Sequence, residues 1–153
     1  MGTELHLRGE RVRIEAAADG APGWVRFGSE SMKVLKPEAD LRRVITVHLW
    51  RLAIVELPPR VMEFAAQHGL TVRRITVRNQ RSRWGSCSRR STVSLNWRLI
   101  QTPPFVRDYI ILHELMHLRQ MNHSARFWRE VEGVCPEYQK AEDWLKGHSS
   151  LLR

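Results

Sequence analysis

An α+β domain is the expected fold, and three observations predict it. Apolar and polar residues alternate at period two in the first third of the chain and again between residues 71 and 98. Apolar residues recur at helical spacing around residues 41–53 and from residue 104 onwards. The chain has 153 residues, 42% hydrophobic and 27% charged, which suits one soluble domain with its own core. Strands come mostly before helices, with antiparallel or mixed pairing in a small twisted sheet.

The elements follow in order. N-terminal strands are expected over about 10–36. Val12 and Ile14 alternate with Arg11 and Arg13, and Val25 and Phe27 with Trp24 and Arg26. A Gly28-Ser29-Glu30 turn leads to a short run around Met32–Leu35, and Pro37 ends this part. The rest of the domain spans about 38–147. A helix is expected from about Glu38 to Glu56, with Leu41, Val44, Ile45, His48, Leu49, Leu52 and Ala53 on its apolar stripe. His48 reads as a core histidine. Pro58-Pro59 is expected to break that helix, and a second one then runs to Gln67, closed by Gly69. Residues 71–79 and 91–98 read as strands, joined by a long loop from Gln80 to Arg90 that carries Trp84. Thr102 is expected to cap a helix from about Pro104 to Met121, with proline in its first turn, where a missing N–H costs little. A helix over Ala125–Glu132 stops at Gly133, and Pro136 opens a last one carrying Tyr138, Ala141, Trp144 and Leu145.

The third helix carries the chemistry. It contains His113-Glu114-Leu115-Met116-His117, with His123 beyond. Positions i and i+4 share a helix face, so His113 and His117 can hold one Zn²⁺ per chain. Ile110, Ile111, Leu112, Leu115, Met116 and Leu118 make the segment apolar nearly all round, so the histidines should be buried and need a common partner. A catalytic zinc takes three protein ligands. His123 is the favoured third, ahead of His148, His6, Glu130 and Glu132. On a continuous helix it would sit about 120° off the ligand face, so the helix must end first. Asn122 is the expected left-handed stop, and Ser124 can cap the next helix. Glu114, beside the first ligand, is the expected general base on a metal-activated water.

The charge is strongly positive. Net charge is +9, and 21 of the 25 basic residues are arginine. Eight of them, Arg73, Arg74, Arg78, Arg81, Arg83, Arg89, Arg90 and Arg98, crowd one stretch that could meet nucleic-acid phosphates or simply be a solvated face. Cys87 and Cys135 give no disulfide framework. No apolar run is long enough to span a membrane and no signal region opens the chain, so a cytoplasmic location is expected. Oligomeric state is not legible.

The spacing from His113 to His123 also occurs in metzincin peptidases, but Gln120 stands where they need glycine and no methionine follows Met121. The chain better resembles the YgjP-like family of metallopeptidase domains, and more distantly the SprT-like proteases, over about residues 41–146. The resemblance rests on Arg83-Trp84-Gly85-Ser86-Cys87-Ser88, Leu95-Asn96-Trp97-Arg98-Leu99, Asp108-Tyr109, the His113–His117 pentad, Asn122-His123-Ser124, Phe127-Trp128 and Pro136-Glu137-Tyr138. It implies a compact zincin core: a sheet packed on the metal helix, with an edge strand above the cleft. It implies the same ligands, His113, His117 and His123, with Glu114 as base. It also implies that the Trp84 loop and the strand around Leu95–Trp97 border the site.

The expected activity is zinc-dependent hydrolysis of peptide or unfolded-protein substrates. Tyr138, Trp84, Arg83 and Asn96 are the candidate substrate or transition-state residues, with Tyr109 a further candidate for the oxyanion. Substrate is expected to add as a strand along Val93–Trp97. Two other readings remain. One is a metal-dependent nucleoside triphosphate pyrophosphatase, favoured by the arginines but lacking a Gly-rich phosphate loop and a carboxylate cluster for Mg²⁺. The other is a non-catalytic, zinc-stabilised domain that docks on nucleic acid, which gives Glu114 no role.

Overall fold

The computed structural model describes residues 4–16, 24–33 and 41–152. Strands β1 (Glu4–Leu7), β2 (Glu10–Ala16), β3 (Trp24–Phe27) and β4 (Glu30–Lys33) form an antiparallel meander in chain order. The alternation is realised: Ile14, Val25 and Phe27 are buried, while Trp24 and Arg26 face outwards. Strand β1 precedes the expected start at residue 10, because four residues carry too short an alternation to stand out. The β1–β2 turn places both Arg8 and Gly9 at positive φ, 50° and 84°, as a tight hairpin twist requires. Its tip docks on the later core: Arg8 N–H donates to Ile100 O and Gly9 N–H to Gln101 O, each at 2.9 Å. A Cβ on Gly9 would lie 2.8 Å from Pro103 Cα. The expected end of this region, from Val34 through Pro37, and the helix start at Glu38 lie outside the described residues.

Helix α1 runs unbroken from Leu41 to Gln67, with Pro58 and Pro59 inside it. The expected break does not occur. Proline removes two N–H groups and orphans the carbonyls of Ile54 and Val55. Those residues are 53% and 69% exposed, so water can serve their backbone. Ala53, Leu57 and Val61, on the opposite face and flanking the prolines, are fully buried and hold both halves in line. Paired bonds tie the helix to its neighbours. Arg8 grips Glu56 at 2.9 and 3.3 Å, and Arg60 grips Asp108 at 2.9 and 3.1 Å.

A second sheet follows, of β5 (Arg74–Arg78), β6 (Gly85–Cys87) and β7 (Thr92–Asn96), in the order β5-β7-β6. It is mixed: β5 is parallel to β7, and β6 antiparallel to it. The long Gln80–Arg90 loop thus hides a strand. Its length has a cause, since the connection from β5 to β6 must step over β7, about 9–10 Å away. The β6–β7 hairpin turns through Ser91 at φ 63°. The expected strand to Arg98 stops at Asn96, and Trp97–Gln101 form a 3-10 turn. Thr102 does not cap the next helix. Its hydroxyl bonds Leu99 O at 2.6 Å and ends the 3-10 turn.

Three helices complete the domain: α2 (Pro104–Met116), α3 (Ala125–Val134) and α4 (Tyr138–Leu152). Helix α2 ends five residues earlier than expected. Its last turn tightens into short bonds, Leu118 N–H to Leu115 O at 3.0 Å and Arg119 N–H to Met116 O at 3.0 Å. Asn122 is not left-handed, since the only non-glycine residues at positive φ among those described are Arg8 and Ser91. Ser124 does cap α3, accepting from Phe127 N–H at 3.3 Å. Gly133 lies within α3 rather than beyond it. Val93 and Leu95 of β7 share one buried core with Ile111, Leu115 and Met116 of α2.

Candidate active site

The geometry starts from α2. Tyr109, His113 and His117 recur every four residues and share one face. His117 closes the helix but keeps helical dihedrals, φ −64° and ψ −18°, so the His113–His117 spacing survives the early end. The tight turn then carries His123 back. Arg119 pins that turn, bonding Glu130 of α3 at 3.0 Å and His68 O beyond α1 at 2.8 Å.

Three imidazoles meet as a result. His117 Nε2 lies 3.1 Å from His123 Nε2, which lies 3.4 Å from His113 Nε2. The three side chains can each offer a nitrogen within 4.8 Å of the other two. A tetrahedral ion holding nitrogens at 2.0–2.1 Å would set them about 3.4 Å apart. The outer nitrogens support this arrangement. His117 Nδ1 faces Gln120 O at 3.1 Å, and His113 Nδ1 faces the Tyr109 hydroxyl at 3.3 Å. With Nδ1–H donated in each, the Nε2 lone pairs of His113 and His117 turn towards a common centre. Burial pushes His113 down to about 4, helped by the neighbouring His117 and His123, and lowers His117 too. Neutral imidazoles are what a metal needs. The residues therefore fit a metal ion.

Helix α3 packs the cluster from behind. The Phe127 ring stacks on His117 at 4.2 Å and meets His113 edge-on at 4.9 Å. Trp128 stacks on His123 at 6.0 Å. Helix α4 supplies a residue that sequence reasoning missed. Glu142 accepts a hydrogen bond from the Tyr109 hydroxyl, which continues the chain from His113. Its signal was present, one helical turn after Tyr138, but only packing shows that α4 turns this face to α2. Burial and the Glu142 contact push the Tyr109 hydroxyl well above the ordinary phenol range, so it stays protonated. Tyr109→Phe and Glu142→Gln should each weaken metal affinity by roughly 10–100-fold, the usual cost of losing a ligand's outer hydrogen bond. Chelator competition measures this, and unchanged affinity in both variants would reduce Tyr109 to a packing residue.

Glu114 lines a cleft of about 580 Å³ together with the three histidines and residues of β6. It is buried, and burial pushes its carboxyl up to about 7 against the downward pull of the exposed Arg83. Gly85 makes the close approach possible. A Cβ there would stand 3.0 Å from Glu114 Cγ and 3.1 Å from Ser94 O. Cys87 also lines the cleft, its thiol pushed up to about 11 by burial and then by Glu114.

The other sequence candidates separate. Arg83 and Trp84 line the main cleft. Tyr138 lines an adjoining recess with His113, His123 and Glu142, and stacks against Tyr109 and Trp128. Asn96 lines neither. It is fully buried, donates to Gln80 O at 2.8 Å and Arg83 O at 3.0 Å, and so holds the loop before β6 in place. Strand β7 is paired on both sides. Substrate cannot add along Val93–Trp97, and the free edge at the cleft belongs to β6.

A family model for the YgjP-like metallopeptidase domain matches residues 1–148. No curated protein matches the chain. Among solved structures, the chain is similar to the metallopeptidase zymogen abylysin of Pyrococcus abyssi, at 25% identity and a TM-score of 0.54, over 63% of this chain and 96% of that one. That likeness extends to the mixed helix-and-sheet architecture. No helix of the described residues is long and apolar enough to cross a membrane. On a match spanning nearly its whole length, the chain belongs to the YgjP-like metallopeptidase domain family, hydrolases whose chemistry implies a metal and whose substrates are peptides.

Proposed function

We propose that the protein is a zinc-dependent peptidase with His113, His117 and His123 as ligands of one ion and Glu114 as general base. The observation that carries this reading is the convergence of three imidazole nitrogens beside a buried carboxylate in one cleft. When bound, zinc polarises a scissile carbonyl and lowers the pKa of its water towards ~7. Glu114 takes a proton from the attacking water and delivers it to the leaving amine. Its raised pKa suits both steps, because it lies close to neutral pH. Arg83, which lines the main cleft, and Tyr138, which lines the adjoining recess with His113 and His123, are the candidates to steady the developing oxyanion. A purely structural metal site gives the burial of Glu114 no explanation.

Strand β6 supplies the substrate's track. Asn96 N–H donates to Trp84 O and Ser88 N–H to Thr92 O, both at 2.9 Å. In an antiparallel ladder the residues between, Gly85 and Cys87, turn their N–H and C=O groups to the free edge. An extended peptide laid there binds through its backbone, with loose side-chain selectivity. Proline scanning of a cleaved peptide tests this. Proline at the alternate positions that donate to Gly85 and Cys87 should block cleavage, and proline between them should be tolerated. Indifference at every position would end the strand-addition reading.

The reaction class is tested by assaying the zinc-loaded protein in parallel on denatured protein and on nucleoside triphosphates. Glu114-dependent peptide cleavage is expected. Glu114-dependent release of pyrophosphate without peptide cleavage would instead assign the pyrophosphatase activity.

A further inference from the structure

The positive charge of this chain is confined to one part of the fold. Between Glu63 and Asp108 there is no aspartate or glutamate, and there are nine arginines. Outside that segment sixteen basic residues face sixteen acidic ones, so the whole net charge of +9 sits within it. Seven of the nine, all but Arg98 in the 3-10 turn and Arg107 in α2, lie on the second sheet and its loops.

Strand register shows how the arginines are arranged. Ile75 and Val77 of β5 pack towards the core. Arg74, Thr76 and Arg78 therefore occupy the opposite face, and Arg78 Nε donates to Thr76 Oγ1 at 3.3 Å. Their partners on β7 are Thr92, Ser94 and Asn96. Ser94 and Asn96 are buried, so the exposed arginines of this side stand on β5, the edge strand of the sheet, and on the loops at its ends. The Arg73 N–H donates to Ser91 O at 2.9 Å, which sets the β6–β7 hairpin, with Arg89 and Arg90, beside the start of β5. Arg78 lies at the other end, next to the loop that carries Arg81. Two arginine clusters thus stand about 13 Å apart, at the ends of a five-residue strand, with the half-buried Thr76, whose hydroxyl bonds Ser94 at 2.7 Å, between them. Among the described residues, none of Arg73, Arg74, Arg78, Arg81, Arg89 and Arg90 is ion-paired with a carboxylate.

We infer that this β5 edge, with the arginines of the adjoining loop and hairpin, docks on the phosphate backbone of double-stranded DNA. Exposed arginine forks are groups that contact phosphate oxygens. Anionic membrane is the poorer fit, because no large apolar side chain is exposed among the described residues from 64 to 104, the exposed Phe105 of the same charged segment belongs to α2 and not to the sheet, and lipid docking needs an apolar anchor beside the charges. Single strands are also a poorer fit. The aromatics of that stretch are Phe64, Trp84 and Trp97. Phe64 and Trp97 are buried and Trp84 is half-buried against the cleft, so no ring platform is offered to unstacked bases. Nothing on the face reads base edges, so binding should be independent of sequence. The inference stands whether or not the peptidase reading holds.

The test is fluorescence anisotropy with a mixed-sequence 20-base-pair DNA duplex at several salt concentrations. If Arg74, Arg78, Arg81, Arg89 and Arg90 each neutralise one phosphate, log K should fall against log salt with a slope of about −4.5. Affinity then drops roughly 500-fold between 50 and 200 mM salt. The double variant Arg74→Gln, Arg78→Gln should reduce the slope by about 2, with melting temperature and metal content unchanged. The pair Arg89→Gln, Arg90→Gln provides the same check if the first pair disturbs folding. Absent binding at 50 mM salt, a slope that neither pair changes, or tighter binding to the single strand or to phosphatidylserine vesicles would each overturn the assignment.

Discussion

Glu114→Gln should keep its metal and lose peptide turnover by a factor on the order of 10²–10⁴, the usual contribution of a general base. Glutamine has the shape of glutamate and cannot take the proton. The substitution also suits the site physically. Glu114 is buried and its carboxyl is already pushed up to about 7 by desolvation, so a neutral side chain costs the fold nothing there and relieves a buried charge. Stability should hold or rise while activity collapses. Single-turnover kinetics alongside metal analysis reads both quantities, and wild-type turnover in a metal-loaded variant would refute the role given to Glu114.

His123→Ala should reduce zinc affinity by about 10³-fold. Apparent binding energies for zinc held by protein ligands run to roughly 10–16 kcal/mol, and one of three ligands carries about 4 kcal/mol of that. His123 is exposed and sits in a turn rather than in a helix, so its loss should leave the fold of the metal-free protein intact. Affinity measured against a competing chelator, with the melting temperature of the metal-free variant as control, separates a lost ligand from a lost fold. Unchanged affinity would move the third ligand elsewhere, and Glu142, on the wall beside His113, is then the residue to test.

Legibility in the sequence tracked the range of each interaction. The His113–His117 pair and the Ser124 cap depend on residues within one or two turns, and both appear where local spacing puts them. The period-two strands around Ile14, Val25 and Phe27 are local in the same sense. The continuous α1 is not. Proline propensity argues for a break at residues 58 and 59, and burial of Ala53, Leu57 and Val61 against other elements overrides it. Strand β6 is only three residues long and polar, so no periodicity could reveal it. It exists because β7 offers a partner and Asn96 anchors the loop before it.

By itself the sequence determined the α+β class, the helical presentation of His113, Glu114 and His117, and the need for a chain reversal before His123, since each follows from bond geometry over a few residues. Only the tertiary structure decided the rest: that β6, not β7, forms the open edge of the cleft; that Glu142 backs His113 through Tyr109; that Asn96 is a loop anchor outside the cleft; and that the arginines gather at the two ends of β5. Each of these pairs groups distant in the chain, and their meeting is set by which apolar faces bury together, a quantity that no local spacing encodes.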